Sequence, residues 1–213
     1  MHASEAMTLL LEPQNNFLSD LPPESFSDFY KTATQLVLAT DMSRHSEILA
    51  QVSVKLSSKS FDFSNKADRL LVLQLLLKFS DISNPSRNRQ MCEYWAGQVR
   101  EEFYLQGDRE REKGIKVSAF MDRRAPDETA KCQIAFVDFI VRPLSELVFQ
   151  IVPKVQPIIS ENIRVNVEFW KSKISQQKKL SVVPVSLPVP PVLQGTGRGD
   201  RVTVVTISTT SGK

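Results

Sequence analysis

The chain has 213 residues, 41% apolar and 24% charged, the make-up of a globular domain with a real core rather than of a fibrous or unstructured chain. Its 27 basic and 24 acidic residues are interspersed and leave a net charge of only +3, so nothing marks a nucleic-acid surface. Cys92 and Cys132 form neither a disulfide framework nor zinc-ligand spacing and fit a reducing, cytoplasmic compartment, and neither a secretory signal nor an apolar run of about 18 residues, as a membrane span needs, is present.

Residues 4–11 have the pattern of a helix, with Ala6, Leu9 and Leu10 on one face, broken by Pro13-Gln14-Asn15-Asn16. Leu21-Pro22-Pro23-Glu24 opens a second helix, proline being tolerated in a first turn. Its stripe (Phe26, Tyr30, Leu36, Val37, Ile48) runs to about Leu56, with a kink near Thr40. Asp41 and His45 lie one turn apart and predict an i, i+4 ion pair. Ser57–Phe63 is loop-like. Asn65 is the expected N-cap of a helix over Lys66–Ser80, with Asp68 as its capping partner. The run Leu70–Leu77 calls for burial, which carries Asp81 to the edge of a core.

Asn84-Pro85-Ser86 is a turn, and a long helix follows from about Arg87 to Lys113 with Trp95, Val99, Phe103 and Tyr104 inward. Lys113-Gly114 ends it, a basic last turn followed by glycine. After a loop over 115–125, Pro126 stands where a first helical position falls. The helix beyond it (Ile134, Phe136, Val137, Phe139, Ile140, Leu144, Leu147) is apolar on much of its circumference, hence buried, and bends at Pro143. Pro153 and Pro157 precede a last amphipathic helix ending near Trp170. Beyond it, prolines among valines (182–192) and three glycines (195–199) predict a disordered tail over 176–213 and a domain over 1–175. In that tail Pro188-Val189-Pro190-Pro191 has the form of an SH3-type ligand but is read first as an unstructured or mistranslated end, and Arg198-Gly199-Asp200 is read as a chance tripeptide. Strand signals are nearly absent before it, so the fold class is all-α.

Four segments read together carry a resemblance: Leu38-Ala39-Thr40-Asp41-Met42-Ser43-Arg44-His45; Asp81-Ile82-Ser83-Asn84-Pro85; Glu101-Glu102-Phe103-Tyr104-Leu105-Gln106-Gly107-Asp108-Arg109-Glu110; and Lys131 to Val141 with Pro143-Leu144. In this order and spacing the chain resembles, over residues 2–172, the catalytic domain of class I cyclic nucleotide phosphodiesterases. The resemblance implies a compact multi-helix domain that hydrolyses the 3′ phosphoester of cAMP or cGMP with two divalent ions, zinc and magnesium. The ions acidify a bridging water and polarise the phosphoryl oxygens, and a histidine protonates the leaving oxygen.

Carried over by residue, Asp81 matches a metal ligand, and Thr40 a group that bonds metal-bound water. Gln133 matches the amide that pairs with the purine, with Asn84 beside it. Phe136 and Val99 match the two faces of the clamp around the base, and Met42, Phe103 and Phe120 other parts of the wall. His2 matches the second histidine of the family's Glu-Asn-His-His segment, with Met1 in place of the first. The upstream motifs that supply the catalytic histidine and three of the four zinc ligands have no counterpart here. The resemblance therefore leads us to expect an N-terminally truncated piece with no catalytic residue and a single metal ligand, inactive alone. The alternative is a non-catalytic module that binds a nucleotide or pairs as a homodimer.

Overall fold

The computed structural model describes residues 2–125 and 128–182, with side chains as far as 176. The chain divides into two units, Met1–Ser181 and Val182–Lys213. From 183 onward, including the proline-rich and glycine-rich segments, the second unit lies outside the described residues, as does Pro126.

Every regular element described is helical. The helices are α1 His2–Leu11, α2 Pro23–Ala39, α3 His45–Ser57, α4 Lys66–Asp81, α5 Arg89–Glu112, α6 Thr129–Phe136, α7 Arg142–Ile151 and α8 Gln156–Val182. Pro23 takes the first position of α2, where a missing N–H costs nothing. Asn65 caps α4 by accepting from the Ala67 N–H. Asp68 does not close a capping box. It is buried, accepts from the Asp62 N–H at 2.9 Å and pairs with Lys55 at 2.7 Å, tying the loop before α4 to α3. Gly114, at φ +69°, ends α5: its N–H bonds the Arg111 carbonyl, and the Ile115 N–H bonds the Glu110 carbonyl. α8 continues past Trp170 to Val182, longer than its apolar pattern predicts.

The expected kink near Thr40 is a full break. α2 stops at Ala39, a single 3-10 turn spans Met42–Arg44, and α3 begins at His45. Asp41 caps that turn, its carboxylate accepting from the Ser43 N–H at 2.8 Å, which holds its pKa below the usual carboxylate range. The predicted Asp41–His45 ion pair is absent: His45 is buried, and neither of its ring nitrogens has a partner. Beside the break lies Lys78 of α4, fully buried. Its ammonium donates to the carbonyls of Ala39 (3.2 Å), Thr40 (3.4 Å) and Asp41 (3.0 Å). A cation is the right charge for a helix C-terminus, and the three carbonyls at the break replace its water.

The main core joins α2, α3, α4 and α7 through Ala39, Ile48, Val52, Leu71, Leu75, Phe79, Leu144 and Val148. Leu71, Leu75 and Phe79 stack at i, i+4 spacing on α4, and each such side chain contributes about 1.5–3 kcal/mol when fully buried. The apolar run 70–77 is not buried all round, for Leu73 and Leu77 face outward. A second cluster joins α5, α6 and α8 through Cys92, Ala96, Ala130 and Trp170. A third sets Val137 and Val141 against Ile163 and Val167 of α8.

Between α6 and α7 the chain does not simply bend. Val137–Val141 forms a π turn, with the Arg142 N–H reaching back to the Val137 carbonyl. Pro143 is the cause: without an N–H, and with a ring that crowds the carbonyl four residues back, it cannot continue the α pattern. The wider turn rotates the faces, so Val137 and Val141 are buried while Phe139, expected inside, is 76% exposed.

Candidate functional site

One face of α5 repeats every four residues: Met91, Trp95, Val99 and Phe103. The small residues Cys92 and Ala96 turn the other way and let α5 approach α6 and α8 in the second core cluster. The large side chains therefore remain at the surface, where they form one wall of a cavity of about 1060 Å³. This corrects the expectation that Trp95 and Phe103 pack inward: Trp95 is 45% exposed and faces the cavity. Their i, i+4 stripe is visible in the sequence, but a stripe does not say whether it faces protein or ligand.

A second wall is the end of α4 and the turn after it. Asp81 is the last residue of α4, and it and Asn84 both line the cavity. A carboxylate at a helix C-terminus opposes the helix dipole. Asp81 is exposed, has no ion-pair partner among the described residues, and sits one turn from the buried Lys78. Asn84 opens the 3-10 turn Asn84–Ser86, which also turns Arg87 to the cavity. Arg87 donates to the Ser83 hydroxyl at 3.3 Å.

The third wall is α6, from which Cys132, Gln133, Ala135 and Phe136 line the cavity. Gln133 and Phe136, three residues apart, share a face. The side-chain amide oxygen of Gln133, Oε1, is buried and has no hydrogen-bond partner. An unsatisfied acceptor of this kind is an unmet demand for a donor. Phe120, from the 3-10 turn Ala119–Met121, closes the rim and meets Phe103 edge-on, ring centres 5.5 Å apart. A smaller hollow of about 160 Å³ adjoins it, sharing Val99, Phe103, Phe120, Cys132 and Gln133.

The structure thus brings Asp81, Asn84, Val99, Phe103, Phe120, Gln133 and Phe136 to one cavity. It leaves two predicted residues out of the lining. Met42 lies in the 3-10 turn after α2 and is half exposed. Thr40 ends α2, its hydroxyl donating to the Val37 carbonyl at 2.8 Å. Both are held by the break in the chain rather than aimed at the cavity. Trp95, Met91, Arg87 and Asn88 line it without having been singled out. Burial raises the pKa of the Cys92 thiol.

A helical domain whose cavity joins a carboxylate, an unsatisfied amide and aromatic walls is built for a flat, polar-edged ligand. Comparison with known proteins gives the class. The family model for 3′5′-cyclic nucleotide phosphodiesterase matches residues 1–163, and the chain belongs to that family. It is 35% identical over 172 residues to the human high affinity cGMP-specific 3′,5′-cyclic phosphodiesterase 9A, covering 81% of this chain and 28% of that protein. It is 32% identical over 183 residues to the probable 3′,5′-cyclic-AMP phosphodiesterase pde-4 of Caenorhabditis elegans, covering 83% of this chain and 27% of that protein. The solved structure of LmjPDEB1, a Leishmania protein, in complex with IBMX superposes with a TM-score of 0.76 at 30% identity, covering 82% of this chain and 52% of that one. The chain therefore spans little more than a quarter of the length of these curated relatives and about half of the solved chain.

Among the described residues no helix is long and apolar enough to cross a membrane. Nor do any three His, Cys, Asp or Glu side chains among them come together to hold a metal ion. Among the described residues, Asp81 is the one carboxylate in the lining of the large cavity. A lone exposed carboxylate does not hold a divalent ion against water, so the described donor set does not fit a two-ion centre.

Proposed function

We propose that this chain builds the base-binding side of a 3′,5′-cyclic nucleotide phosphodiesterase site. Phe136 and Val99 clamp the purine, the Gln133 amide pairs with its edge, Asn84 flanks it, and Phe103 and Phe120 close the rim. Asp81 stands at the mouth, where the family's zinc and magnesium would lie, as one ligand of that centre. No hydrolytic step is assigned to the residues described, since they do not complete such a centre. The observation that carries this reading is that Asp81 and Gln133, far apart in sequence, share one cavity with an unsatisfied amide oxygen inside it.

Titration of the full chain with cGMP and with cAMP tests it by calorimetry, metal-free. Binding to at least one is expected. Gln133→Ala is expected to weaken it about tenfold or more, the cost of one buried hydrogen bond with its partner left unpaired. Asp81→Ala should change metal-free binding little. Equal affinity in wild type and Gln133→Ala would remove the base from this cavity. Sedimentation of the same sample reads whether the chain pairs with a copy of itself.

A further inference from the structure

The turn that carries Asn84 has a shortage of donors. Pro85 has no N–H, and Asn88 starts α5 with its side chain, accepting from the Met91 N–H at 3.0 Å. The carbonyls of Pro85, Ser86 and Arg87 therefore point out of the local backbone pattern. Three consecutive carbonyls without donors in a largely buried turn would be costly.

The donors come from α8. Asn162 donates to the Ser86 carbonyl at 2.9 Å. Asn166, one helical turn on and 1% exposed, donates through a single amide nitrogen to both the Pro85 and Arg87 carbonyls at 2.8 Å. Both protons of that nitrogen are used, so the amide is fixed in one orientation. The turn's internal bonds, from the Ser86 hydroxyl to the Ser83 carbonyl (2.7 Å) and from the Ser83 hydroxyl to the Ser80 carbonyl (2.8 Å), carry the restraint back to the end of α4. The third core cluster sets Ile163 and Val167, beside these asparagines in sequence, against the π turn after α6.

From this geometry we infer that Asn162 and Asn166 are positioning residues for the nucleotide cavity. Neither is itself among the residues that line the cavity. Through three carbonyls they fix the turn that presents Asn84, while the same helix packs under the segment that follows Gln133 and Phe136. One helix thereby sets the distance between the two polar walls of the cavity. The inference rests on the reading of the cavity given above.

The test uses two independent readouts on the full chain. The first is the ¹⁵N spectrum of the ligand-free protein. In Asn162→Ala the backbone and side-chain amide signals of Asn84 and the Arg87 amide should move, with the Arg87 N–H exchanging faster. Asn162→Gln, which keeps a donor, should restore them in part. The second is nucleotide affinity: Asn162→Ala is expected to lose about tenfold, the scale of one buried hydrogen bond. The melting transition is followed alongside, because a merely structural role would lower it and leave the Asn84 signals in place. Asn166→Asp, which keeps the shape and removes the donor, should act more strongly. If it does not fold, Asn162→Ala decides the matter alone. Unmoved Asn84 and Arg87 signals in a folded Asn162→Ala would overturn the inference. Should the wild type bind neither nucleotide, the reading of the cavity fails, and the spectra still decide the positioning role.

Discussion

Two walls of the cavity are held in place by opposite kinds of chemistry. The turn after α4, with Asn84, is held by neutral amides from α8 inside the protein. The segment with Phe120 is held by alternating charges at the surface. Glu101 pairs with Arg123 (3.0 Å), Arg123 with Asp108 (2.7 Å), Asp108 with Arg111 (2.9 Å), Arg111 with Asp122 (2.7 Å) and Asp122 with Arg124 (3.1 Å). Arg123 also lies over the Tyr104 ring at 5.4 Å. Buried hydrogen bonds between neutral groups do not respond to salt or to pH near neutrality, whereas exposed ion pairs are screened. The fold thus gives the cavity one wall indifferent to its medium and one that the medium can loosen.

The largest test of the contrast is steric. Gly107 of α5 is buried because the backbone of the Phe120 segment crosses it: a Cβ there would meet the Met121 carbonyl oxygen, with the carbonyl carbon at 2.9 Å and Val117 Cγ1 at 3.0 Å. Backbone cannot swing aside as a side-chain tip can. Gly107→Val is therefore expected to push the segment off α5 and cost about 1–3 kcal/mol, the range for overpacking. Chemical denaturation checks the cost. Amide signals should shift at 117–123 and stay fixed at Asn84–Arg87. Equal shifts at both would show the two walls to be one unit.

How far the sequence showed all this differs between the walls. The helices and the all-α class were legible because local signals (apolar period, caps, Gly114) agree with the fold. Seven of the nine site residues named from the resemblance line one cavity. Thr40 and Met42 do not, because the break after Ala39 depends on Lys78, whose three carbonyl partners lie far off in sequence. The exposure of Trp95 depends on small residues across a helix contact, which periodicity cannot assign to a side. The asparagines of α8 carry no local signal at all, since their partners lie some eighty residues back.

A smaller effect separates both walls from the core. His45 is buried, and its pKa is lowered first by that burial and then by the charge of Lys78. The unfolded chain binds this proton near the ordinary value of about 6.5, and the folded chain binds it only at lower pH. Its contribution to stability is therefore complete above about 6.5 and falls as pH drops from there through the folded value. Asp108 and Asp122 also have lowered values. In Asp108 burial acts upward, but hydrogen bonds and charge from Arg123 and Arg111 outweigh it; in Asp122 the hydrogen bonds from Arg124 dominate. Both stay ionised below the ordinary carboxylate value of about 3.9, so their contribution is lost only in stronger acid. Melting curves between pH 7.5 and about 5.5 should show a decline that His45→Leu flattens. A decline left intact in that variant would place the titrating group elsewhere.

The smallest effect is the one that reads the contrast most directly. Raising salt from about 0.1 M to about 1 M cuts the screening length from about 10 Å to about 3 Å. The Glu101–Arg123–Asp108–Arg111–Asp122 chain is partly to half exposed, so its attraction weakens as ions enter between its members. The Met121 and Asp122 N–H groups, bonded to the Ser118 and Ala119 carbonyls at 2.9 and 3.2 Å, should then exchange hydrogen faster. The Ser86 and Arg87 N–H groups, bonded to the Ser83 and Asn84 carbonyls at 2.9 and 3.2 Å, should keep their rates, because the amides that hold their turn carry no charge. These bonds match in length and are of the same kind, a single turn of 3-10 geometry on each wall, so the change in rate with salt, rather than the rate itself, reads what ties each turn to the rest of the protein. Rates that rise together would mean that charge holds the Asn84 turn as well, through Arg87 or Asp81. Rates that separate would mean that a ligand entering this cavity meets a fixed polar edge on one side and an adjustable aromatic rim on the other.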